Sequence, residues 1–220
     1  MMSLTWSWVD QLLRHAATPE LKLPWMKLLV CQGLAGFLYG MVMGSYGEWE
    51  ANRFWYAFYA GIKVPLLFWV TFSLCVPVFF VLHALSGLHG DFRQSLLALL
   101  AAQAILTLVL LALAPITSLW YLSNDHYPWA ILFNGMMFAI ASLAAQFYLR
   151  RLYAPLFEKH ARHRTLLMIW LGLYLFVAIQ FAWVLRPFVG EPNSPAEFFR
   201  SESWGNAYVA LFQLLSGAAK

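Results

Sequence analysis

Long uncharged runs alternate with short polar breaks along this chain, and they do so five times. The clearest run lies between Arg164 and Arg186, where Thr165 to Leu185 gives twenty-one residues without a charge. At about 1.5 Å rise per residue that is a helix of roughly 30 Å, the thickness of a bilayer's hydrocarbon core. Four similar runs precede it, so the pattern predicts spans over residues 24–45, 63–86, 93–119, 127–149 and 165–186. The expected fold is all-α: a polytopic membrane protein with five transmembrane helices, in one integral membrane domain over residues 1–220.

Three shorter segments place apolar residues at helical spacing but are too polar to span. They are residues 4–16, with Leu4, Trp8 and Leu12 opposite Asp10 and Arg14; residues 46–62, where seven aromatics interleave with Glu48, Glu50 and Arg53; and residues 204–216, with Trp204, Tyr208, Leu211, Phe212 and Leu215. All three read as amphipathic helices lying in the membrane interface. With the second span starting at Lys63, Pro65 falls in its first turn, where proline is tolerated. Pro77 is interior and predicts a kink, and Pro115 bends or ends the third span. Residues 150–164 read as a basic loop.

Composition agrees with the pattern. Hydrophobic residues make up 62% and charged residues 11%, against a usual ~25% charged in soluble domains. The formal charge of +4 is accounted for by one segment, in which Arg150, Arg151, Lys159, Arg162 and Arg164 stand against Glu158. A nucleic-acid partner would need a wider basic face. Here the cluster reads as a topology signal and as a surface for anionic headgroups. Placing it in the cytoplasm puts nine cations inside and five outside (Arg53, Lys63, Arg186, Arg200, Lys220), which predicts the N-terminus inside and the C-terminus outside. The N-terminus lacks the basic-then-apolar order of a signal peptide, and no cleavage is expected. Cys31 and Cys75 both fall in predicted spans, so no disulfide framework is implied.

The candidate functional residues are few. Gly36, Gly40 and Gly44 recur every fourth residue and predict a close helix-packing face. Lys63 and Arg186 stand at the outer ends of spans. Each is suited to a lipid or other anion or to structural pairing; simple snorkelling is the expectation for Lys63, and a tie to Glu191 and Glu197 for Arg186. Gln103 and Thr107 share one face of the third span, and Asn134 and Ser142 roughly align on the fourth, so these four are expected in a polar bundle interior. His83 and His89, six apart, lie about 240° apart on a helix and cannot share a metal. His160 and His163 share a face, but in a positive field that opposes a cation. No metal, cofactor or catalytic residue is expected, because no nucleotide-binding, hydrolase or metalloprotease motif is present and no Asp or Glu lies mid-span.

The functional expectation is a non-catalytic membrane component, a scaffold or assembly subunit. Its partners would be membrane lipids and other membrane proteins or a second copy of itself. A second reading is a small-solute or ion transporter or channel subunit with a polar path through the third and fourth spans. A third is a lipid-modifying enzyme using His83, His89 and Asp91 at the inner interface.

The stretch Trp183-Val184-Leu185-Arg186-Pro187-Phe188-Val189-Gly190, followed by Glu197-Phe198-Phe199-Arg200, is similar to a group of uncharacterised bacterial polytopic membrane proteins. By span count and orientation the chain also resembles the Yip1-type five-span proteins. These resemblances imply a multi-pass protein of a bacterial cytoplasmic (inner) membrane. They carry no activity and no catalytic residue.

Overall fold

The computed structural model describes residues 25–47, 53–190, 197–199 and 207–209. Five helices follow one another: α1 (Trp25–Gly44), α2 (Arg53–Leu85), α3 (Phe92–Ser123), α4 (Tyr127–Lys159) and α5 (Arg162–Leu185), with a 3₁₀ turn at His89–Asp91 between α2 and α3. Each is long and apolar enough to cross a membrane. Among the described residues there is no strand. The protein is an integral, multi-pass, all-α membrane protein.

The packing order differs from the chain order. α1 lies against both α2 and α3, α4 packs on α3, and α5 packs on α2. Sequential α2 and α3 approach each other little, and so do sequential α4 and α5. Two apolar cores result. One joins Phe72, Phe79, Leu99, Leu149, Leu156 and Trp170 toward the α2–α3 and α4–α5 turns. The other joins Tyr39, Val64, Phe68, Leu110, Met137 and Val189 toward the opposite end.

Several expected boundaries move. The aromatic segment 46–62 is not a separate interfacial helix: from Arg53 onward it is the first third of α2, which runs unbroken for 33 residues. At about 1.5 Å per residue α2 is close to 50 Å long, so its aromatic end overshoots the bilayer core. Pro65 is consequently interior and not in a first turn, as is Pro77. Each removes a hydrogen bond to the carbonyl four residues earlier. Pro115 does not end α3, which continues to Ser123. The basic segment is mostly helix, since α4 carries Arg150, Arg151 and Pro155 on to Lys159 and α5 resumes at Arg162. The predicted helix at 4–16 lies outside the described residues. Of residues 204–216 only 207–209 are described, and there Ala207 donates to Gln180 and Tyr208 stacks on Phe176, both on α5.

Candidate functional site

The glycine face of α1 finds its partner within the chain. A Cβ at Gly40 would lie 2.9 Å from the Gly61 Cα, and one at Gly44 would lie 2.6 Å from the Ala57 Cα, distances no packed side chain adopts. Gly36 is different, because a Cβ there would make ordinary contacts with Val64, Pro65 and Thr107. The small residues Ala57, Ala60 and Gly61 on α2 are the reciprocal surface.

The polar interior divides between two places. Gln32 Nε2 donates to Gln103 Oε1 at 2.8 Å across α1 and α3, and Thr107 bonds back to the Ala104 carbonyl of its own helix at 3.0 Å. Farther along, the Tyr39 hydroxyl donates to Asn134 Oδ1 at 3.2 Å. The Asn134 amide donates in turn to the Tyr121 hydroxyl and the Ala130 carbonyl. Gln103, Thr107 and Asn134 are buried, and Ser142 is only half-buried.

At the end of the bundle that carries the α2–α3 and α4–α5 turns, sequence reasoning named His83 and Asp91 but missed the partners that join them, Ser95, Lys159 and His163. His83 and His163 are both fully buried, with ring centroids 6.0 Å apart. A carbonyl can only accept, so His83 Nδ1 carries the hydrogen and donates to Phe79 O at 3.0 Å, leaving Nε2 to accept from Ser95 Oγ at 3.2 Å. His163 Nε2 lies 3.3 Å from Asp91 Oδ2, and Lys159 Nζ lies 2.8 Å from Asp91 Oδ1. The Lys159 hydrogen bond above all holds the Asp91 carboxyl below its ordinary value; burial opposes it, and the His163 hydrogen bond adds to the lowering. The Ser95–His83 pair has the form of a hydroxyl and a general base. Both side chains have no exposed surface, so a substrate has no access to that hydroxyl. Among the described residues no group of three or more His, Cys, Asp or Glu is placed to hold a metal. His89 and His160 are exposed and stand outside the cluster. Arg150, Arg151, Arg162 and Arg164 are exposed. Arg162 donates to the Ser86 carbonyl at 3.1 Å, and Arg164 lies over the Phe157 ring.

At the opposite end, Lys63 corrects the snorkelling expectation. It is 1% exposed, donates to the Pro187 carbonyl at 3.0 Å, and sits 5.2 Å from the Phe198 ring centroid. Tyr59 also meets Phe198 edge-on, so Phe198 is held against α2 by both residues. Arg53, expected on an interfacial helix, is buried beside Tyr56 and beneath Gly47 and Gly190. Gly47 has a φ of +96°, the left-handed region that glycine enters without strain. Arg186 has its guanidinium 3.5 Å from the Trp183 ring centroid. Of its two expected acidic partners, Glu191 lies outside the described residues.

Between the first half of α4 and the last turns of α5 a gap opens. It has a volume of about 530 Å³ and is walled by apolar side chains of α2, α4 and α5. Asn134 lies along its wall, and the segment from Arg186 to Val189 roofs it. The wall on the α4 side runs from Tyr127 to Phe138. Of the described residues lining it, Arg186 alone carries a formal charge. A second hollow of about 710 Å³, between α1 and α2, is lined by Val30, Leu34 and Trp69 and carries no charge.

No protein family, curated protein or solved structure matches the chain. Its function is therefore argued from its own geometry.

Proposed function

We propose that this chain is a non-catalytic membrane component, a scaffold or assembly subunit whose binding surface is the gap between α4 and α5. The observation that carries the reading is how little of α5 is buried. Of its most apolar eighteen-residue window 11% is buried, against 33% to 56% for the other four helices. A helix kept so open, beside a gap with a cation at its rim, offers a surface for lipid or for a neighbouring helix. The reactive-looking groups support the same reading, since His83 and Ser95 are bonded to one another out of reach of substrate. In a bacterial cytoplasmic membrane the charge asymmetry favours the Lys159 end of α4 inside and the Tyr127 end outside.

A photocrosslinking residue at Ala182, which lines the gap, tests the reading. It should capture a defined lipid or protein adduct that the same probe at exposed Leu38 or Leu74, on other faces, does not capture. Identical adducts from all three positions would remove it. Cysteines at exposed Asp125 and Glu158 test the orientation. An impermeant thiol reagent added outside should label the first and spare the second.

A further inference from the structure

We infer that the hollow between α1 and α2 binds a neutral, lipid-soluble quinone, a flat ring with carbonyl oxygens on its edges and an apolar tail. This goes beyond the functional reading above and does not rest on the α4–α5 gap.

Depth is the first argument. Trp69, Ser73 and Gln103 line the hollow, with Phe37 and Phe72 as further aromatic wall. Trp69 is the middle residue of α2, about 24 Å from either end at helical rise. That is mid-span, far from the interface where a tryptophan N–H ordinarily meets water. A Cβ on Gly33 would lie 2.7 Å from Trp69 Cζ2, so the indole edge rests on bare α1 backbone.

Three hydrogen-bond donors line this wall without a protein acceptor. Gln103, 8% exposed, accepts from Gln32 through Oε1, which leaves its own amide hydrogens to be placed. Among the described residues nothing accepts from that amide, from the Trp69 indole or from the Ser73 hydroxyl. Ser118 and Ser123 show the usual alternative, each bonding back to the carbonyl four residues earlier.

Donor chemistry then names the occupant. In hydrocarbon no water stands in for a missing acceptor, so unmet donors are costly. An acyl chain brings no acceptor, and the ester and phosphate oxygens of its lipid belong to the interface. No charged residue is among those described along the hollow, so an anion has no partner there. A quinone is neutral, carries carbonyl acceptors into the hydrocarbon core and presents a ring to the aromatic walls. Apolar and aromatic walls with a few placed polar groups are the usual make-up of a small-molecule site. The α4–α5 gap differs, because its Asn134 is already bonded to Tyr39, Tyr121 and Ala130.

The test uses the full chain in phosphatidylcholine discs and a tritiated benzoquinone with a decyl tail, counted against empty discs. Wild type should bind it saturably, one per chain, and decylbenzene, which lacks the carbonyls, should not displace it. Trp69→Phe keeps a ring and removes the N–H, and Ser73→Ala removes only the hydroxyl. Both side chains are exposed on the bundle surface, so the melting profiles should hold. Each change should weaken binding on the order of fivefold, the worth of one neutral hydrogen bond. An azide on the quinone ring should photolabel the walls of the hollow, such as Phe37. Displacement by decylbenzene as readily as by unlabelled quinone would overturn the inference, since any apolar molecule would then serve. Unchanged affinity in both variants, or photolabel confined to α4 and α5, would overturn it as well.

Discussion

The Lys63 ammonium donates to the Pro187 carbonyl, 3.0 Å away and 124 residues later in the chain. With 1% of its surface exposed, Lys63 cannot exchange that acceptor for water. A hydrogen bond from a charged donor contributes roughly 1.5–3 kcal/mol. This one fastens α2 to the segment that leaves α5. Lys63→Met keeps the length and removes the donor, so thermal unfolding in detergent should come earlier and proteolysis just beyond Val189 should quicken. An unchanged melting profile would mean that the lysine is only an interfacial anchor.

Gly40→Leu should be far more damaging than Gly36→Ala. The first drives a side chain into the Ala60–Gly61 backbone, whereas the second adds a methyl at ordinary contact distance from Val64 and Thr107. Overpacking costs about 1–3 kcal/mol where neighbours can shift, and more where they are backbone. Melting temperatures of the two variants in one detergent would give the comparison. Similar values for both would show that α1 and α2 do not meet on this face in the membrane.

Gln32 and Gln103 can be separated from their surroundings by a double-mutant cycle. Gln103→Leu leaves the buried Gln32 amide without its acceptor, and Gln32→Leu does the converse. The paired change removes both polar groups and should restore most of the stability lost by either. A coupling of roughly 0.6 kcal/mol, and no more than about 1.7, is expected for an interhelical bond in a membrane. A coupling of zero would mean that each amide is satisfied elsewhere, for example by water in a conducting path.

The Asp91 carboxyl is held below its ordinary value chiefly by its bond to Lys159, with His163 adding to the effect. A depressed folded value means that the contribution is fully present above the unfolded carboxyl's pKa of about 3.9. It is then lost as pH falls through the folded value. Wild type should therefore lose stability on acidification below about pH 4. Asp91→Asn should start less stable at neutral pH and lose less over that same interval. Parallel curves for the two proteins would sink the linkage.

How much of this was legible beforehand depended on how local each signal was. The five spans were, because uncharged runs of about twenty residues need no knowledge of neighbours. The spacing of Gly40 and Gly44 was equally local, and Ala57, Ala60 and Gly61 at matching intervals were a signal for their partner that went unread. Lys63 and Arg53 were misplaced because a cation among aromatics looks the same in sequence whether it snorkels or is buried. That misplacement also split α2 in two and put Pro65 in a first turn. Asp91 and His163 lie 72 residues apart and carry no mutual pattern, so only tertiary packing could join them. Of the residues around the gap, Arg186 was recognisable as a charge at a span end. Its apolar walls looked like any other stretch of transmembrane helix.

The placement of α1 has a consequence for how the protein is made. α2 and α3 are consecutive, yet over most of their length each packs on α1 and hardly on the other. The hairpin they form leaves an opening whose sides carry Gly61 on one helix and Gln103 on the other, surfaces that match α1 and suit lipid poorly. During synthesis α1 leaves the ribosome before either, so the keystone is already in the bilayer when the hairpin arrives around it. Supplied late, as a separate fragment, α1 would have to enter between two helices that had met lipid first.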